Sequence, residues 1–348
     1  MTIKVLVVDD SALIRSLLGE IINHEPDMTL VGAAPDAYVA KKMVQDFSPD
    51  VITLDIEMPK VDGLRFLGVL MKARPTPVIM ISTLTESGAD ATMRSLELGA
   101  VDFIPKPKLG VVQGIEDYRH LILTKIRTAA RSKVRQPQSQ PTQVTSNLNY
   151  SGTEKIIAIG ASTGGTEAIK SIVQSLPANA PATVITQHMP PGYTSTFAQR
   201  LNACSKLKIV EAKGNERLLP GHGYLAPGDR HMLIVRSGAD YRIQLNDGER
   251  VSGHRPSVDV MFHSLAQTAG NNVVACLLTG MGKDGAEGLL SLKNLGAYTL
   301  CQNENTCVVF GMPKAAIALG AATKVLPLEN IAQSMVSQLQ KMQAGSRL

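Results

Sequence analysis

The chain has 348 residues, of which 44% are hydrophobic, 4% are aromatic and none is Trp. This length predicts about two domains of roughly 150 residues each, and the scarcity of aromatic rings disfavours a surface that stacks sugars or single-stranded nucleic acid. The net charge is +5, but the chain lacks the dense cluster of Lys and Arg that is typical of nucleic-acid-binding proteins. We therefore expect no nucleic-acid partner.

Residues 1–127 alternate between strand-like apolar segments and amphipathic, helix-like segments. A repeat of this kind forms a parallel sheet with helices on both faces, so an N-terminal, doubly wound (βα)5 α/β domain is predicted here. Its predicted strands are 3–8, 29–33, 51–55, 77–81 and 101–104, and two of its predicted helices are 11–24 and 62–73.

The composition changes over residues 128–153, where Gln, Ser, Pro, Thr and Asn prevail. Few of these side chains can build a core, so the segment is predicted to be a flexible linker. A second doubly wound, parallel α/β domain is predicted over residues 154–348. The stretch 223–247 is rich in Gly and turn residues, which predicts antiparallel hairpins inserted between the parallel units. The predicted strands of this domain are 155–160, 182–187, 223–226, 232–235, 272–278, 297–301 and 324–326, and its predicted last helix is 329–342.

Carboxylates follow two apolar strands of the first domain, at the point where each strand ends. Asp9 and Asp10 follow Val8, and Asp55 closes the strand 51–55. The carboxyl ends of parallel strands meet at one edge of a sheet, and Mg²⁺ prefers oxygen ligands. The pattern therefore predicts a Mg²⁺ site whose aspartate can accept a phosphoryl group. The alternative is that Asp9 and Asp10 merely cap the first helix.

Ser82 and Lys106 follow the next two strands, which places a hydroxyl and a cation at the same edge. Both groups suit the oxygens of a phosphorylated carboxylate. The whole pattern (strand–DD, strand–D–xx–MP–x–DG, strand–S, then KP) resembles the receiver domain of two-component response regulators. The resemblance implies that Asp55 is the phosphoacceptor, that Ser82 senses the phosphoryl group and that Lys106 pairs with it. It also implies that the Mg²⁺ needed for phosphorylation is held by Asp9, Asp10, Asp55 and the Glu57 carbonyl.

A glycine-rich turn, 160–165, follows the first strand of the second domain and opens a helix. Such a turn is typical of nucleotide-phosphate sites, so a nucleotide-dependent oxidoreductase is one alternative function. A dinucleotide fold usually ends the next strand with an acidic residue that binds the ribose. Here that strand ends in Gln187 and His188, which disfavours dinucleotide binding.

Ser162, His188 and Asp284 each lie at or just past the end of a predicted parallel strand. Because these ends share one edge, the three residues are predicted to act as nucleophile, base and orienting acid. Neighbouring glycines let backbone amides approach a developing oxyanion. Taken singly, Ser162 and Asp284 are also explained as helix caps, and His188 as a partly buried imidazole. His231 and His254, in turns, are rival bases that the sequence leaves open.

Five motifs spread over residues 155–320 resemble the catalytic domain of the chemotaxis protein-glutamate methylesterase family. A receiver domain followed by this domain matches the family along the whole chain, linker included. The motifs are IGASTGG (159–165), QHMP (187–190), LAPGDRHM (225–232), HRPSVD (254–259) and LTGMGKDGAEG (278–288).

The resemblance implies a phosphorylation-activated carboxylic ester hydrolase in chemotaxis adaptation. Such enzymes hydrolyse glutamate γ-methyl esters on cytoplasmic helices of chemoreceptors, releasing methanol, and many deamidate selected glutamines. Ser162 would be the nucleophile, His188 the base and Asp284 its partner, while Thr163 and the Met281 amide would line the substrate and oxyanion region. The chemotaxis histidine kinase would be the phosphodonor, and hydrolysis would need no cofactor. The unphosphorylated receiver would cover the active site.

A DNA-binding response regulator is a further alternative from another functional class. It would need a compact helix-turn-helix after the linker, whereas residues 155–320 are strand-rich and far longer than such a module. The 18 Lys and Arg residues against 13 Asp and Glu in residues 154–348 favour an acidic partner surface instead.

The expected location is the cytoplasm. The four Cys residues show no metal-like spacing, which predicts reduced, mostly buried thiols. The N-terminus lacks a signal-peptide pattern, and no apolar run approaches the roughly 18 residues that span a bilayer. We therefore expect no membrane insertion.

Overall fold

The structure is a computed structural model that describes residues 2–83, 85–106, 115–134 and 154–344. The chain divides into two compact units, Met1–Ser139 and Gln140–Leu348. Each unit is built around a parallel β-sheet, as the two predicted βα repeats require.

The first unit alternates strands and helices throughout its described residues. Its five strands pair in parallel, with the second strand at one edge and the fifth at the other, in the order 2-1-3-4-5. The predicted doubly wound (βα)5 fold is confirmed, and each predicted strand boundary lies within one residue of the observed one. The elements are β1 (Ile3–Val8), α1 (Ala12–Asn23), β2 (Met28–Ala34), α2 (Ala37–Phe47), β3 (Val51–Asp55), α3 (Gly63–Ala73), β4 (Val78–Ser82), α4 (Glu86–Glu97), β5 (Asp102–Pro105) and α5 (Ile115–Ala130).

Helix α1 begins at a cap that is neither of the two adjacent carboxylates. The Ser11 side chain accepts a hydrogen bond from the Ile14 N–H, which satisfies a backbone donor that the first helical turn leaves unpaired. Because Ser11 takes this role, Asp9 and Asp10 are left for another one.

Helix α5 extends beyond the predicted start of the linker. It continues to Ala130, three residues into the segment 128–153, and Ala129 is fully buried like Ile126 one turn earlier. The apolar face of α5 thus continues past residue 128, where the composition begins to change. Of the predicted linker 128–153, residues 135–153 lie outside the described residues.

The second unit contains a seven-stranded parallel sheet and a separate antiparallel hairpin. The predicted parallel domain with an inserted hairpin is confirmed. Its strands are β6 (Ile156–Ala161), β7 (Ala182–Gln187), β8 (Lys208–Glu211), β9 (His222–Leu225), β10 (His231–Ser237), β11 (Asp240–Asn246), β12 (Val273–Leu277), β13 (Tyr298–Gln302) and β14 (Lys324–Leu326). Its helices are α6 (Gly165–Ser175), α7 (Thr194–Cys204), α8 (Val258–Thr268), α9 (Ala286–Asn294), α10 (Met312–Ala318) and α11 (Leu328–Ala344). The sheet order is β14-β13-β12-β6-β7-β9-β8, and β10 pairs with β11.

The prediction of antiparallel hairpins over residues 223–247 is wrong for its first part. Strand β9 pairs in parallel with both β7 and β8, inside the main sheet. Gly223 occupies a strand position because Ile209 of β8 fills the space beside it, and a Cβ on Gly223 would lie 2.8 Å from Ile209 Cγ1. Strand β8 itself has no predicted counterpart, since a four-residue edge strand carries too short a pattern to stand out.

The main hydrophobic cluster of the second unit joins one face of β6 and β7 to α8, α9 and the β10–β11 hairpin. Phe262 of α8 is fully buried and packs against Gly288 of α9, where a Cβ would lie 2.6 Å from Phe262 Cβ. Within the described ranges, no helix has both the length and the apolar character to cross a bilayer.

Replacing Phe262 with Ala should lower the free energy of unfolding of the second unit by about 3–5 kcal/mol, because a fully buried ring leaves a cavity. Guanidinium unfolding followed by circular dichroism measures the change. Leu295→Ala is the matched control, since that side chain is 53% exposed, and it should shift the transition by less than about 0.5 kcal/mol. Equal effects of the two substitutions would contradict this core.

Candidate functional site

The acidic cluster of the first unit consists of Asp9, Asp10 and Asp55, at the carboxyl ends of β1 and β3. Oxygen atoms from the three carboxylates lie within 4.8 Å of one another. The Nζ atom of Lys106, just past β5, lies 2.8 Å from Asp55 Oδ2 and 3.6 Å from Asp9 Oδ2. The parallel pairing of the strands therefore brings all four side chains to one edge.

Burial governs the protonation of this cluster. It raises the pKa of Asp55 to about 6, although the hydrogen bond from Lys106 opposes the shift, and the charge of Asp9 adds to it. Burial also raises the pKa of Asp9. For Lys106, burial lowers the pKa, but the hydrogen bond to Asp55 and the neighbouring carboxylates raise it overall. Among the described residues, Lys106 thus balances only part of the negative charge of the cluster.

The donor set fits a hard divalent cation. Asp9 Oδ2 is buried and accepts no hydrogen bond within the described residues, and the cluster offers oxygen atoms only, as Mg²⁺ prefers. Glu57 touches the cluster through its backbone N–H, which donates to Asp55 Oδ1 at 3.3 Å. The assignment of the Glu57 carbonyl as a fourth ligand stays a prediction.

Ser82 ends β4 at the same edge, but its hydroxyl is bonded to α4. Thr92 Oγ1 donates to Ser82 Oγ at 2.5 Å, and Ser82 Oγ has two carbonyl acceptors for its proton, Thr83 O at 3.2 Å and Gly88 O at 3.3 Å. The side chain is fully buried. A role in sensing a phosphoryl group on Asp55 therefore requires the hydroxyl to leave these partners.

Ser162, His188 and Asp284 come together at the carboxyl edge of the second sheet. Ser162 follows β6, His188 follows the neighbouring β7, and Asp284 lies in the loop between β12 and α9. Backbone hydrogen bonds continue the strand pairing into these loops: Ser162 N–H donates to Thr279 O at 3.0 Å, and His188 N–H donates to Ala161 O at 3.2 Å. The sheet thus fixes the backbone of both the serine and the histidine.

His188 is held from two sides. Its Nε2 lies 2.7 Å from Asp284 Oδ2, and its ring stacks on that of His254, with centroids 3.7 Å apart and an interplanar angle of 13°. Its Nδ1 is buried and has no hydrogen-bond partner in the described part of the chain. Nδ1 is therefore the atom able to take a proton. Its bond to the Ser162 hydroxyl is not formed here, and in unliganded active sites this bond is often long and tightens on substrate binding.

Asp284 is buried and fully hydrogen-bonded. Oδ2 accepts from His188 and from the Val258 N–H at 2.7 Å, while Oδ1 accepts from Ser257 Oγ at 2.7 Å and from the Asp259 N–H at 3.1 Å. Burial raises its pKa, but the hydrogen bonds and the charge of His188 outweigh this and bring the pKa down to about 2. The two amides belong to the N-terminus of α8, which favours an anion. Asp284 is therefore ionised at neutral pH, and His188 carries its proton on Nε2.

The loop after β12 lies directly against the serine. Thr279 Oγ1 donates to the Thr163 carbonyl at 3.0 Å, and a Cβ on Gly280 would lie 2.7 Å from Ser162 Cβ. Thr163 is buried, whereas Met281 is 39% exposed. Only glycine allows this approach, which brings the loop backbone to where an amide can face a developing oxyanion.

The structure gives the two rival histidines different surroundings. His231 Nδ1 accepts from the Ser257 N–H at 3.2 Å, and its Nε2 lies 2.8 Å from Glu249 O. Both ring nitrogens of this buried side chain are thus engaged, which disfavours His231 as a base. His254 lies within the site, but as the ring that stacks on His188.

Two further residues contribute to the site without having been predicted to. Gln187 Nε2 donates to Ser162 O at 2.9 Å and to His188 O at 3.2 Å, so one amide bridges the serine and the histidine. Its place beside His188 in QHMP was the available signal. Ser257 bonds to Asp284 across 27 residues of sequence, and no local pattern indicates such a contact.

Comparisons with known proteins place both units. Residues 5–111 match the family model of the response regulator receiver domain, and residues 157–335 match that of the CheB methylesterase. The chain belongs to the CheB methylesterase family. The resemblance stated from the motifs is confirmed, and so is the expectation of a carboxylic ester hydrolase.

Relatives resemble the chain along its full length. Protein-glutamate methylesterase/protein-glutamine glutaminase 2 of Pseudomonas aeruginosa is 57% identical over 100% of both chains. The protein-glutamate methylesterase/protein-glutamine glutaminase of Salmonella typhimurium is 52% identical over 98% of both. The crystal structure of the Thermotoga maritima CheB methylesterase catalytic domain matches with a TM-score of 0.53 and 37% identity, covering 54% of this chain and 100% of that one.

Replacing Asp55 with Asn should stabilise the first unit at pH 7 without Mg²⁺ by about 1–2 kcal/mol, because it removes one of two buried carboxylates that crowd each other beside the exposed Asp10. Mg²⁺ should stabilise the wild type more than the variant. Thermal unfolding with and without Mg²⁺ measures both effects. Asp46→Asn, at an exposed position of α2, is the control and should change neither. Equal stabilisation of both proteins by Mg²⁺ would argue against a site at Asp55.

Replacing Gln187 with Glu keeps the shape of the side chain but removes the amide that bridges Ser162 and His188. We expect the reaction of Ser162 with a serine-directed phosphonate to slow on the order of 10²-fold, since Ser162 and His188 lose the amide that joins their backbones. Gln199→Glu adds the same charge at an exposed position of α7 and should leave the rate unchanged. An unaltered rate in Gln187→Glu would show that the bridge is dispensable.

Proposed function

We propose that this chain is a phosphorylation-activated protein-glutamate methylesterase of chemotaxis adaptation that acts through Ser162, His188 and Asp284. The observation that carries the proposal is the 2.7 Å contact between His188 Nε2 and Asp284 Oδ2, which leaves Nδ1 as the free base at the strand edge that bears Ser162. The relatives' names supply the substrate class, which is a methyl-esterified glutamate or a glutamine in a protein.

Acylation begins with Ser162. Its Oγ attacks the ester carbonyl carbon while His188 Nδ1 takes the hydroxyl proton, and ionised Asp284 stabilises the imidazolium that forms. The carbonyl oxygen becomes an oxyanion, for which the Met281 amide and Thr163 are the proposed partners. His188 then protonates the methoxy oxygen, the C–O bond breaks, and methanol leaves an acyl ester on Ser162.

Deacylation uses the same residues in reverse. His188 Nδ1 takes a proton from water, the resulting hydroxide attacks the acyl carbon, and the Ser162 Oγ–carbon bond breaks as Oγ regains a proton. The products are the glutamate carboxylate and one released proton. With glutamine as substrate, the leaving group is ammonia instead of methanol, and His188 protonates its nitrogen.

The receiver domain supplies the switch in this proposal. Asp55 accepts a phosphoryl group from a phosphohistidine of the chemotaxis kinase, and Lys106, 2.8 Å from Asp55, pairs with it. Ser82 joins them after leaving Gly88. Mg²⁺ held by Asp9, Asp10, Asp55 and the Glu57 carbonyl would neutralise charge on the transferred group.

The proposed partners follow from this chemistry. The substrates are the cytoplasmic helices of methyl-accepting chemoreceptors, and the phosphodonor is the chemotaxis histidine kinase, so the enzyme is proposed to work in the cytoplasm. No nucleic acid and no membrane insertion enter the proposal. A DNA-binding output is disfavoured because the second unit is built on a seven-stranded sheet rather than a compact helix-turn-helix.

Methanol release from methylated receptor membranes tests the proposal, with and without acetyl phosphate and Mg²⁺. Wild type should release methanol faster with both present. Asp55→Asn should lose the stimulation only, and Ser162→Ala should lose the basal rate as well. Ser237→Ala, at an exposed position of the hairpin, is the control and should behave as wild type. Undiminished release by Ser162→Ala would contradict the proposed nucleophile.

A further inference from the structure

Among the described residues, Asp284 accepts one side-chain hydrogen bond besides that of His188. The hydroxyl of Ser257, at the start of α8, donates to Asp284 Oδ1 at 2.7 Å. The two other donors are the backbone amides of Val258 and Asp259, which no change of side chain short of proline removes. Ser257 is therefore the position at which the surroundings of Asp284 can be changed by one atom.

The hydroxyl of Ser257 has no freedom to turn elsewhere. Its oxygen accepts from the Val260 N–H at 3.3 Å as the N-cap of α8, so its single proton is left for Asp284. The Ser257 N–H in turn donates to His231 Nδ1. Because Nδ1 accepts, His231 carries its proton on Nε2, which donates to Glu249 O. Ser257 is fully buried, and hydrogen bonds fix both its backbone N–H and its hydroxyl.

We infer that Ser257 is a positioning residue for the hydrolysis: its hydroxyl holds the Asp284 carboxylate in place and limits how strongly that carboxylate attracts the proton of His188. The inference rests on the proposed function of Ser162, His188 and Asp284. The chemical reason is that the two oxygens share one negative charge. When donors bind Oδ1, less of that charge is available at Oδ2 to attract the His188 proton.

The sign of the effect follows from this division. Without the hydroxyl, Asp284 interacts more strongly with a protonated His188, so the imidazolium is favoured over the neutral ring. Less free base is then present at a given acidic pH, and the acid limb of the pH–rate profile moves to higher pH. Orientation is lost at the same time, which lowers kcat rather than raising KM.

Other titratable groups face this pair and remain the same in every variant. Within the described residues, they are His254, stacked on His188; Asp259 of α8, whose charge acts on Asp284; His231, behind Ser257; and His263, whose charge acts on Asp259. A difference between variants in the pH profile therefore reports the hydroxyl itself.

Three substitutions separate positioning from helix capping. Ser257→Thr keeps both the hydroxyl and the cap. Ser257→Gly loses the hydroxyl but is a tolerable N-cap, and Ser257→Ala loses both. Each is made in the full chain, and two rates are measured from pH 5 to 9: methanol release from receptor membranes, and labelling of Ser162 by a serine-directed phosphonate. Thermal unfolding gives the stability of each variant.

We expect kcat to fall roughly tenfold to a hundredfold in Ser257→Gly and Ser257→Ala, as for the loss of a hydrogen bond to a charged group. Their acid limbs should move up by about half a pH unit, with KM unchanged, and Ser257→Thr should restore both. An acid limb and kcat equal to wild type in Ser257→Gly, with only stability lowered in Ser257→Ala, would overturn the inference and leave a helix cap. Ser162→Ala runs alongside: if it stays active, the proposed function fails, whereas an inactive Ser162→Ala with unshifted Ser257 variants rejects this inference alone.

Discussion

The proposed active site of the second unit depends on the parallel register of β12, β6 and β7. Leu277 pairs with Gly160, and Gly160 pairs with Thr186, so the three strands end at one level. The loops that carry the serine, the histidine and the aspartate have to emerge side by side. Because side chains alternate along a strand, a slip of one residue in β7 would send His188 to the opposite face. The sheet is thus the device that sets distances between residues far apart in sequence.

Each of the two units has a buried aspartate at its strand edge, and their surroundings set opposite protonation tendencies. Asp55 is crowded by Asp9, and Lys106 is its one cationic partner in the described part of the chain, so burial prevails and its pKa rises to about 6. Asp284 is buried as well, but four donors surround it and its pKa falls to about 2. The first carboxylate is short of positive partners, which suits a residue that binds a cation. The second is saturated, which suits a residue that must stay charged while it orients a histidine.

The sequence allowed much of this to be predicted, because the informative residues stand at the ends of apolar strands. Strand ends in a parallel sheet converge whatever the loops do, so the grouping of Ser162, His188 and Asp284 needed only the strand assignments. The direction of a side chain is another matter. The turn of the Ser82 hydroxyl toward Gly88, and the bond of Ser257 to Asp284, depend on rotamers and loop paths that have no period in the sequence.

Short strands at the edge of the sheet and next to it were also hard to predict from the sequence. The parallel pairing of β9 depends on its neighbours in the sheet, since four residues that include a glycine carry no orientation signal of their own. Helix α5 continues past residue 128, the predicted start of the linker, for the converse reason, because tertiary packing buries Ala129 where the composition is already changing. Local composition could not reveal either contact.

The choice of ring nitrogen at His188 has a mechanical consequence. Nε2, the far atom of the imidazole, is bonded to Asp284, which leaves the near atom, Nδ1, as the proposed base. Nδ1 stands fewer bonds from the Cα atom than Nε2 does, so a given error in the side-chain torsions displaces it less. The stacked imidazole ring of His254 restricts tilting of the His188 ring. The position of Nδ1, the proposed proton acceptor, therefore depends more on the backbone of β7 than on the side-chain torsions of His188.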